Sequence, residues 1–512
     1  PMKTVQSTSR VYLNIESSFV CISAYSSNIS LFGVSFIELK KYLTIFYISF
    51  CSGFVFSQEW IGATIDNYTP ANAMLLNPSA IVDQKPWLDI HLAGANVHAT
   101  NNFAYLNQST LLNFKSYGNR AINLERKTVW AQMNAQVLGP SASLSIGKQA
   151  IGIHFSLRGS GNVSKVPIEY ADYLINEGSD EDSTVLTVNN MRIKTLVWGE
   201  IGLTYGRLLY QFDKHLITSA VTVNRLFGLQ SAALFIDDGE MLIQNNVGEL
   251  LDGSGKYAHT NPAFRAGSGW SASLGATYKR MLDDVTNYVP HGRGVRCHTL
   301  PYKWKFSVSL VDLGGIRMKR GALYNRFDSD EEADQYLNSI SNGTDQYLNS
   351  ISDGLDMSAV SKDGDKYTAW LPMGVNAQFD YNFENGLFIN GLYTQRLSFP
   401  SSYGSERSNL IAVTPRFEKR WLMVAMPFSL ENYRDPHLGL ALRLWVLTIG
   451  TEHFFPYFIR SDVYKANAYM HLRIRFNRAP GCREEPVKGL EGFKFRDIFR
   501  RHENDPAACP DW

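Results

Sequence analysis

The stretch that decides the fold is Tyr464 to Phe476, YKANAYMHLRIRF, in which apolar and polar residues alternate through all thirteen positions. One face carries Tyr464, Ala466, Ala468, Met470, Leu472, Ile474 and Phe476. Alternation with a period of two predicts a β-strand with one apolar and one wet side. At roughly 3.3 Å per residue the strand reaches about 43 Å, which suits a tilted strand crossing a bilayer better than an ordinary globular strand.

The opposite face of this strand is strongly polar. It carries Lys465, Asn467, Tyr469, His471, Arg473 and Arg475. A sandwich core would not tolerate these charges, whereas the lumen of a membrane barrel would. We therefore predict that all six residues line a lumen. The cations leave open an anion-selective channel, unless acids from neighbouring strands or from a plug offset them.

Composition favours one large barrel over several soluble domains. Of the 512 residues, 19% are charged and 13% are aromatic, and the mean hydropathy is -0.18. Barrel strands hide polar residues in the lumen, so their mean hydropathy resembles that of a soluble protein. No apolar run reaches the roughly twenty residues of a transmembrane helix. The net charge of +1 gives no reason to expect a nucleic-acid partner.

An export signal is predicted near the start of the chain. The apolar run Tyr42 to Phe56 follows two lysines and is too short for a transmembrane helix. We predict a signal peptide over residues 40–57, cleaved between Ser57 and Gln58, and a final location in the cell outer membrane. A lipoprotein site at Cys51 is the alternative.

Further alternating segments predict the rest of the barrel. They lie at Trp87 to His98, Val129 to Leu138, Ser141 to Gly147, Ala150 to Leu157, Ile193 to Gln211, Leu216 to Leu226, Trp270 to Tyr278, Trp304 to Leu310, Leu371 to Tyr381, Leu387 to Leu397, Asn409 to Phe417, Trp421 to Leu430 and Leu438 to Ile449. With Tyr464 to Phe476 these give about fourteen strands, an even number, as antiparallel closure with both ends in the periplasm requires. The polar faces of two of them add further predicted lumen residues: Asn376, Gln378, Asp380 and Arg443.

The predicted fold is therefore all-β, a transmembrane antiparallel β-barrel with long loops and a short periplasmic tail. Residues 1–39 are interpreted as a leader or misplaced start outside the fold. Residues 58–85 form an N-terminal periplasmic or plug segment, residues 86–476 the barrel, and residues 477–512 the C-terminal tail.

Three cysteines remain after the predicted cleavage, at positions 297, 482 and 509. An exported chain is free to oxidise a pair of them. Cys482 and Cys509 flank the C-terminal tail and are the predicted disulfide, which leaves Cys297 unpaired.

No signature of catalysis is present, and we predict that the chain is not an enzyme and binds no cofactor. GxSxG, Walker, HExxH and CxxC patterns are all absent from the sequence. His291, Cys297 and His298 have no clear fourth partner for a metal. The alternating acids from Asp328 to Asp334 lack the glycine of a calcium loop. We therefore predict no catalytic, cofactor or metal residues.

The longest predicted loop contains a duplicated unit, DQYLNSISNGT at 334–344 and DQYLNSISDGL at 345–355. Counting strands back from Phe476 assigns 317–366 to the periplasmic side, together with 159–190 and 227–267. Three long insertions on that side suggest a plug or a platform through which 317–366 would contact a periplasmic or envelope protein. One missed strand would place all three loops outside instead.

Several short motifs occur in an order that resembles a known family. They are Asn77-Pro78-Ser79-Ala80, Ser309 to Gly314 with Ile316, Leu371-Pro372, Gly450-Thr451-Glu452 and Asp462-Val463-Tyr464. In this order the chain resembles a Bacteroidota outer-membrane barrel family of unassigned function. It is similar in style to type IX secretion and gliding-associated barrels, and distantly to the fourteen-stranded long-chain fatty-acid transporters. The transporters usually carry Asn-Pro-Ala where this chain has Asn77-Pro78-Ser79, and the family supplies no catalytic residues.

Two functions follow as hypotheses. The first is a non-enzymatic barrel in contact with outer-membrane lipid that acts as a docking or assembly component of the envelope, as a secretion component would. The alternative is a transporter or channel for a hydrophobic or small solute. A continuous lumen with a lateral gap would favour transport, and a blocked lumen with an ordered periplasmic face would favour docking.

Overall fold

The structure is a computed structural model that describes residues 60–112, 120–176, 184–244, 247–292, 299–327, 364–397 and 403–479. Several predictions fall outside these ranges: the leader 1–39, the signal peptide 40–57, its cleavage between Ser57 and Gln58, the Cys482–Cys509 bridge, and the duplicated unit at 334–355. Within the described ranges, no helix has the length and apolar character needed to cross a membrane.

Most of the described chain is β-structure, and the strands are numbered in the order of the sequence. The strands are β1 Leu88–Asn101, β2 Ala104–Ser109, β3 Arg120–Ile122, β4 Thr128–Leu138, β5 Ser141–Ile146, β6 Gln149–Pro167, β7 Thr184–Phe212, β8 His215–Gln244, β9 Val247–Thr260, β10 Gly267–Met281, β11 Tyr302–Met318, β12 Ala322–Phe327, β13 Tyr367–Trp370, β14 Gly374–Asn382, β15 Leu387–Arg396, β16 Leu410–Glu418, β17 Leu422–Ala425, β18 Phe428–Glu431, β19 Asp435–Leu438, β20 Leu440–Leu444, β21 Leu447–Thr451, β22 Ser461–Val463 and β23 Lys465–Phe476. The helices are α1 Ile61–Thr64, α2 Pro70–Leu76, α3 Ile168–Asn176 and α4 Phe455–Phe458, with a 3₁₀ turn at Pro78–Ile81.

The strands close into an antiparallel barrel of fourteen strands, as predicted. Closure is made by β1 and β23, whose register runs from Leu88 opposite Phe476 to Thr100 opposite Lys465. Four of the fourteen strands consist of two segments each, namely β4 with β5, β13 with β14, β17 with β18, and β19 with β20. A closed barrel leaves no unpaired sheet edge, which is the condition for strands to span a bilayer.

Two errors in the predicted strands cancel in the total. Ser141–Ile146 is not a separate strand, because it pairs with β1 as the continuation of β4 beyond a kink at Gly139. Leu438 to Ile449 is not one strand, because the chain turns at Trp445, which has φ +48, and β21 pairs back onto β20. The count stays at fourteen while the direction of every strand between these two errors reverses.

The reversal moves the long loops to the other end of the barrel. The short turns at 147–148, 213–214, 383–386, 419–421 and 445–446 lie at the end where β1 begins and β23 ends, which we call the turn end. The connections after β6, β8, β11 and β15 lie at the opposite, loop end. The count that assigned 317–366, 159–190 and 227–267 to the same end of the barrel as Phe476 was therefore wrong, because one strand was missed at Trp445. Short turns at one end and long loops at the other are the usual barrel arrangement, to which the connection 282–301 at the turn end is an exception.

The wall alternates between an apolar outer face and an inner face that is largely polar. On β7, the outward side chains of Ile201, Leu203 and Tyr205 are exposed, whereas the neighbouring Glu200 and Thr204 are buried. The same pattern holds along β6, β10, β16 and β23. An exposed belt of large apolar side chains on a closed barrel is the surface that lipid covers, and we therefore describe the fold as a transmembrane barrel.

The inside of the barrel is filled by residues 60–85, which we call the plug. It comprises α1, α2 and the 3₁₀ turn, and almost every residue of these elements is buried. Its apolar side chains pack on inward-facing wall residues, for example Met74, Ile81 and Val82 against Leu208, Leu216 and Met281. Part of the apolar core is therefore the contact layer between plug and wall, and further buried apolar clusters contain no plug residue.

The loop end carries additional structure. β7 and β8 continue beyond the barrel as a long ribbon, and β9 and β12 extend that sheet. β2, β3 and β22 form a separate small sheet. α3 follows β6 directly, and α4 follows β21.

Candidate functional site

The sequence-predicted lumen residues all lie on the inner face of the wall. Asn467, Tyr469, His471, Arg473, Arg443, Asn376 and Asp380 are buried, and Lys465, Arg475 and Gln378 are half-buried. Acids offset several of the cations: Arg443 pairs with Asp66 of the plug, Arg473 lies 3.6 Å from Asp89, and Lys465 lies 3.5 Å from Asp435. These pairs remove the excess positive charge on which an anion-selective channel would depend.

The first anchor of the plug is the contact between Asp66 and Arg443. The guanidinium donates to both carboxylate oxygens of Asp66 and also to the carbonyls of Lys419 and Arg420 at 3.0 and 3.1 Å. Both side chains are fully buried. Burial alone would raise the pKa of Asp66, but the charge of Arg443 and the backbone N–H of Tyr68 hold that pKa below its ordinary value. The anchor is therefore an ion pair that retains its charge.

A second anchor joins Asp83, at the end of the plug, to the wall and to the following loop. Lys279 Nζ on β10 lies 2.7 Å from Asp83 Oδ2, and the Tyr288 hydroxyl donates to Asp83 Oδ1 at 2.5 Å. Burial, together with the charge of Asp83, raises the pKa of Tyr288 well above its ordinary value, so the hydroxyl keeps its proton. This anchor lies toward the turn end.

The Asn77-Pro78-Ser79 motif forms the middle of the plug. Asn77 Oδ1 accepts from the backbone N–H of Ser79 at 3.0 Å, which begins the 3₁₀ turn, and Pro78 has the fixed φ that suits its first position. Ser79 Oγ lies 2.7 Å from Thr277 Oγ1 on β10. A Cβ on Gly275 would lie 2.0 Å from Asn77 Oδ1. The wall therefore has a glycine where the plug approaches it most closely.

Asn67 links the plug to a charged network on the wall, which includes Lys305, the cross-strand neighbour of Lys279. The side-chain Nδ2 of Asn67 donates to Glu418 Oε1 at 3.0 Å, and its side-chain Oδ1 accepts from Lys305 Nζ at 2.8 Å. Arg416 joins this network by bonds of 2.5 and 2.9 Å to the predicted lumen residue Asp380 and one of 2.9 Å to Glu418. Polar contacts therefore hold the plug in addition to its apolar packing against the wall.

A loop at 403–409, which we call the mouth loop, folds inward at the loop end. Glu406 pairs with Lys194 on β7 at 2.5 Å, and Arg407 pairs with Asp312 on β11 at 2.9 Å. Ser408 donates to Gln132 on β4 at 2.5 Å. The mouth loop therefore reaches strands around much of the barrel and narrows its entrance.

Two cavities flank the plug. The loop-end cavity lies between the plug and the mouth loop and contains about 780 Å³ of empty space, part of it open to solvent. The turn-end cavity lies on the other side, beside Asp83 and the predicted lumen residue Gln378, and contains about 710 Å³. Thr64 of the plug lines both cavities. The plug is the partition between them.

The wall is interrupted beside the loop-end cavity. The hydrogen-bond ladder between β11 and its neighbour stops at Val311–Gly374 and resumes at Gly315–Trp370. Within this gap Asp312 has φ +60 and Gly314 has φ +157, backbone angles that an L side chain rarely adopts. The strained segment turns the Asp312 carboxylate inward, where it accepts two bonds of 2.9 Å from Arg158.

Sequence reasoning missed the residues that shape this cavity. Asp312, Glu406 and Arg407 lie in an interrupted strand and a loop, where periodicity carries no signal. For two other residues of the cavity lining, His154 and Arg158, the sequence does carry a signal. The alternation along β6 places both of them on the polar face of the strand. Among the described residues no set of three His, Cys, Asp or Glu side chains is arranged to hold a metal ion.

The chain was compared with known proteins. A family model described as "Family of unknown function (DUF5723)" matches residues 78–452. No curated protein matches the chain. Among solved structures, the chain is similar to the Ralstonia pickettii toluene transporter TbuX, with a TM-score of 0.41 and 10% identity over 80% of this chain and 94% of that one.

Two further solved structures are similar to this chain. The Pseudomonas putida toluene transporter TodX has a TM-score of 0.38 and 9% identity, covering 82% of this chain and 98% of that one. A Pseudomonas aeruginosa FadL homologue has a TM-score of 0.37 and 11% identity, covering 82% and 97%. Because these TM-scores are below 0.5, the similarity carries no argument about function.

Proposed function

The chain belongs to this family of unknown function, and from the lumen of its barrel we propose that it is an outer-membrane transporter that passes a small solute when the plug moves. The observation that carries the proposal is the pair of cavities separated by the plug. Transmembrane β-barrels of this kind belong to outer membranes. The barrel would therefore link the outside to the periplasm through a single movable partition.

The chemistry of the partition supports a reversible movement. The anchors at Asp66, Asn67, Asn77, Ser79 and Asp83 are hydrogen bonds or ion pairs to wall residues. Each contributes little net free energy relative to water, since folding exchanges one set of hydrogen bonds for another. Displacing the plug would exchange these polar contacts for contacts with water and join the two cavities, while the barrel wall stays paired.

A docking or assembly role has less support. It rested on three long loops at the periplasmic face, and the described parts of those loops lie at the end opposite to the termini of the barrel. Of the proposed contact segment 317–366, residues 328–363 fall outside the described part of the chain. The plugged lumen can be explained without a contact to a partner protein through 317–366 and without a role in type IX secretion.

Uptake by proteoliposomes tests the proposal. Asp83→Asn removes the charge that pairs with Lys279 and keeps a residue type that tolerates the φ of +55 at this position. We expect Asp83→Asn to take up small solutes faster than the unchanged protein. Asp435→Asn is the matched control, because Asp435 pairs with Lys465 and not with the plug. The transport proposal is wrong if vesicles with the unchanged protein and vesicles with each variant all take up solute no faster than protein-free vesicles.

A further inference from the structure

We propose that the loop-end cavity binds an uncharged solute with an apolar body and one hydroxyl group, which His154 and Asn224 hold. The inference rests on the proposed transport function, because it names the class of solute that the same lumen would pass. Three features of the cavity lining carry it: the state of its charges, the origin of its apolar surface, and the two polar groups that remain without partners.

The charged groups around the cavity already neutralise one another. Asp312 accepts two bonds from Arg158 and one from Arg407, all of 2.9 Å. Glu406 pairs with Lys194 at 2.5 Å and with Arg396 at 3.2 Å. A charged solute would have to break one of these pairs and leave its partner without a counter-charge at low dielectric. The lining therefore disfavours an ion.

The apolar part of the lining comes mostly from the plug. Trp60, Met74, Leu75 and Leu76 of the plug face the cavity, and Pro372 adds to them from the interrupted wall. Sites for small molecules commonly place an apolar surface beside a few polar groups that fix the orientation of the ligand. The body of the solute would lie against this surface.

Two polar side chains of the lining keep unused hydrogen-bonding capacity. Among the described residues, neither ring nitrogen of His154 has a hydrogen-bond partner, nor does Asn224 Oδ1. Both side chains are more than nine-tenths buried, at 2% and 3% exposed. Glu200 Oε1 lies 3.6 Å from His154 Nε2, and Ser156 already donates to that oxygen at 2.7 Å. An unmet buried polar group is costly, so a ligand that satisfies it gains affinity.

These two groups converge because the residue between them has no side chain. Gly202 lies on β7 between His154 on β6 and Asn224 on β8. A Cβ on Gly202 would lie 2.3 Å from Asn224 Oδ1 and 2.6 Å from His154 Nδ1. Both side chains therefore pack over Gly202 and lie next to each other in the cavity lining. A hydroxyl group of a solute in the cavity suits this pair, because it can donate to the amide oxygen and accept from an imidazole N–H at the same time.

Binding of three matched ¹⁹F probes to the full chain in nanodiscs tests the inference. The probes are 4-fluorobenzyl alcohol, 4-fluorobenzoate and 4-fluorotoluene, followed by ¹⁹F NMR. We expect the alcohol to bind at least tenfold more tightly than the benzoate. His154→Phe and Asn224→Leu should each weaken binding of the alcohol about tenfold and leave binding of 4-fluorotoluene unchanged. The inference is overturned if the benzoate binds as tightly as the alcohol, or if both variants retain the affinity for the alcohol.

A glycine pair on one strand provides a control that does not depend on removing polar groups. Gly202→Ala should displace the side chains of His154 and Asn224 and weaken binding of the alcohol at least tenfold. Gly199→Ala should not, because its Cβ would meet only the Ser156 carbonyl oxygen, at 3.9 Å. Heat-dependent gel mobility confirms that each barrel is folded. Loss of the preference for the alcohol with solute uptake intact would refute the solute class alone, whereas absence of any uptake would refute transport itself.

Discussion

The anchor between Asp66 and Arg443 offers a direct way to loosen the plug. In Asp66→Asn, the Arg443 guanidinium stays buried and keeps its bonds to the carbonyls of Lys419 and Arg420, but it loses its counter-charge. Breaking one partner of a buried pair costs about 3–5 kcal/mol, and the remaining carbonyl bonds favour the lower figure. Since about 1.4 kcal/mol is tenfold in an equilibrium, a cost of about 3 kcal/mol shifts the plug roughly a hundredfold toward displacement.

The initial rate of solute uptake by proteoliposomes measures this shift. We expect Asp66→Asn to raise the rate by one to two orders of magnitude. The double variant Asp66→Asn/Arg443→Met should recover much of the original rate, because no unpaired charge is then left buried. Lys303→Gln is the control, since its exposed pair with Glu384 lies at a turn away from the plug. A rate within twofold of the unchanged protein in a folded Asp66→Asn barrel would refute the role assigned to this anchor.

Three other results are expected. Glu452 lies just beyond β21, and burial raises its pKa to about 8. The stability that its proton provides is present at low pH and is lost as pH rises toward 8. The Tm of the unchanged protein should therefore fall between pH 5 and 9, while the Tm of Glu452→Gln stays level. Gly275→Ala should lower Tm and raise uptake, because its Cβ would lie 2.0 Å from Asn77 Oδ1, and an unchanged Tm would count against that contact. An epitope inserted at Asn342 should bind antibody on intact cells, because the connection from Phe327 to Gly364 begins and ends at the loop end; binding only in opened cells would contradict this orientation.

The barrel could be predicted from the sequence because each strand carries its own signal. Tyr464 to Phe476 alternates without error, and the structure has a strand over Lys465–Phe476 with its polar residues inward. Period-two alternation records which face is buried, so the fold class and lumen residues follow from local pattern alone.

The orientation of the loops could not be predicted, because it depends on recognising every turn. The turn at Trp445 and Val446 contains none of the residues that usually mark a tight turn, so two strands were read as one. The kink at Gly139 and Pro140 looks like a turn, yet the strand continues through it. Two local misreadings left the strand count unchanged but reversed the side on which the loops lie.

The candidate site was the least predictable part. The plug has no strand periodicity, and its anchors join residues far apart in sequence, such as Asp66 with Arg443 and Ser79 with Thr277. The mouth loop and the inward turn of Asp312 depend on the closed wall around them. Such contacts arise only once the barrel has brought distant strands together, so no window of sequence contains them.

Locking the plug to the wall tests most directly whether its movement admits solute. Ser79 Oγ and Thr277 Oγ1 lie 2.7 Å apart, so cysteines at both positions place two sulfurs within reach of a disulfide. In Ser79→Cys/Thr277→Cys, with the native cysteines replaced by serine, we expect oxidation to stop uptake of 4-fluorobenzyl alcohol by proteoliposomes and reductant to restore it. Equal uptake in the oxidised and reduced forms would contradict the proposal, because solute would then pass without movement of the plug.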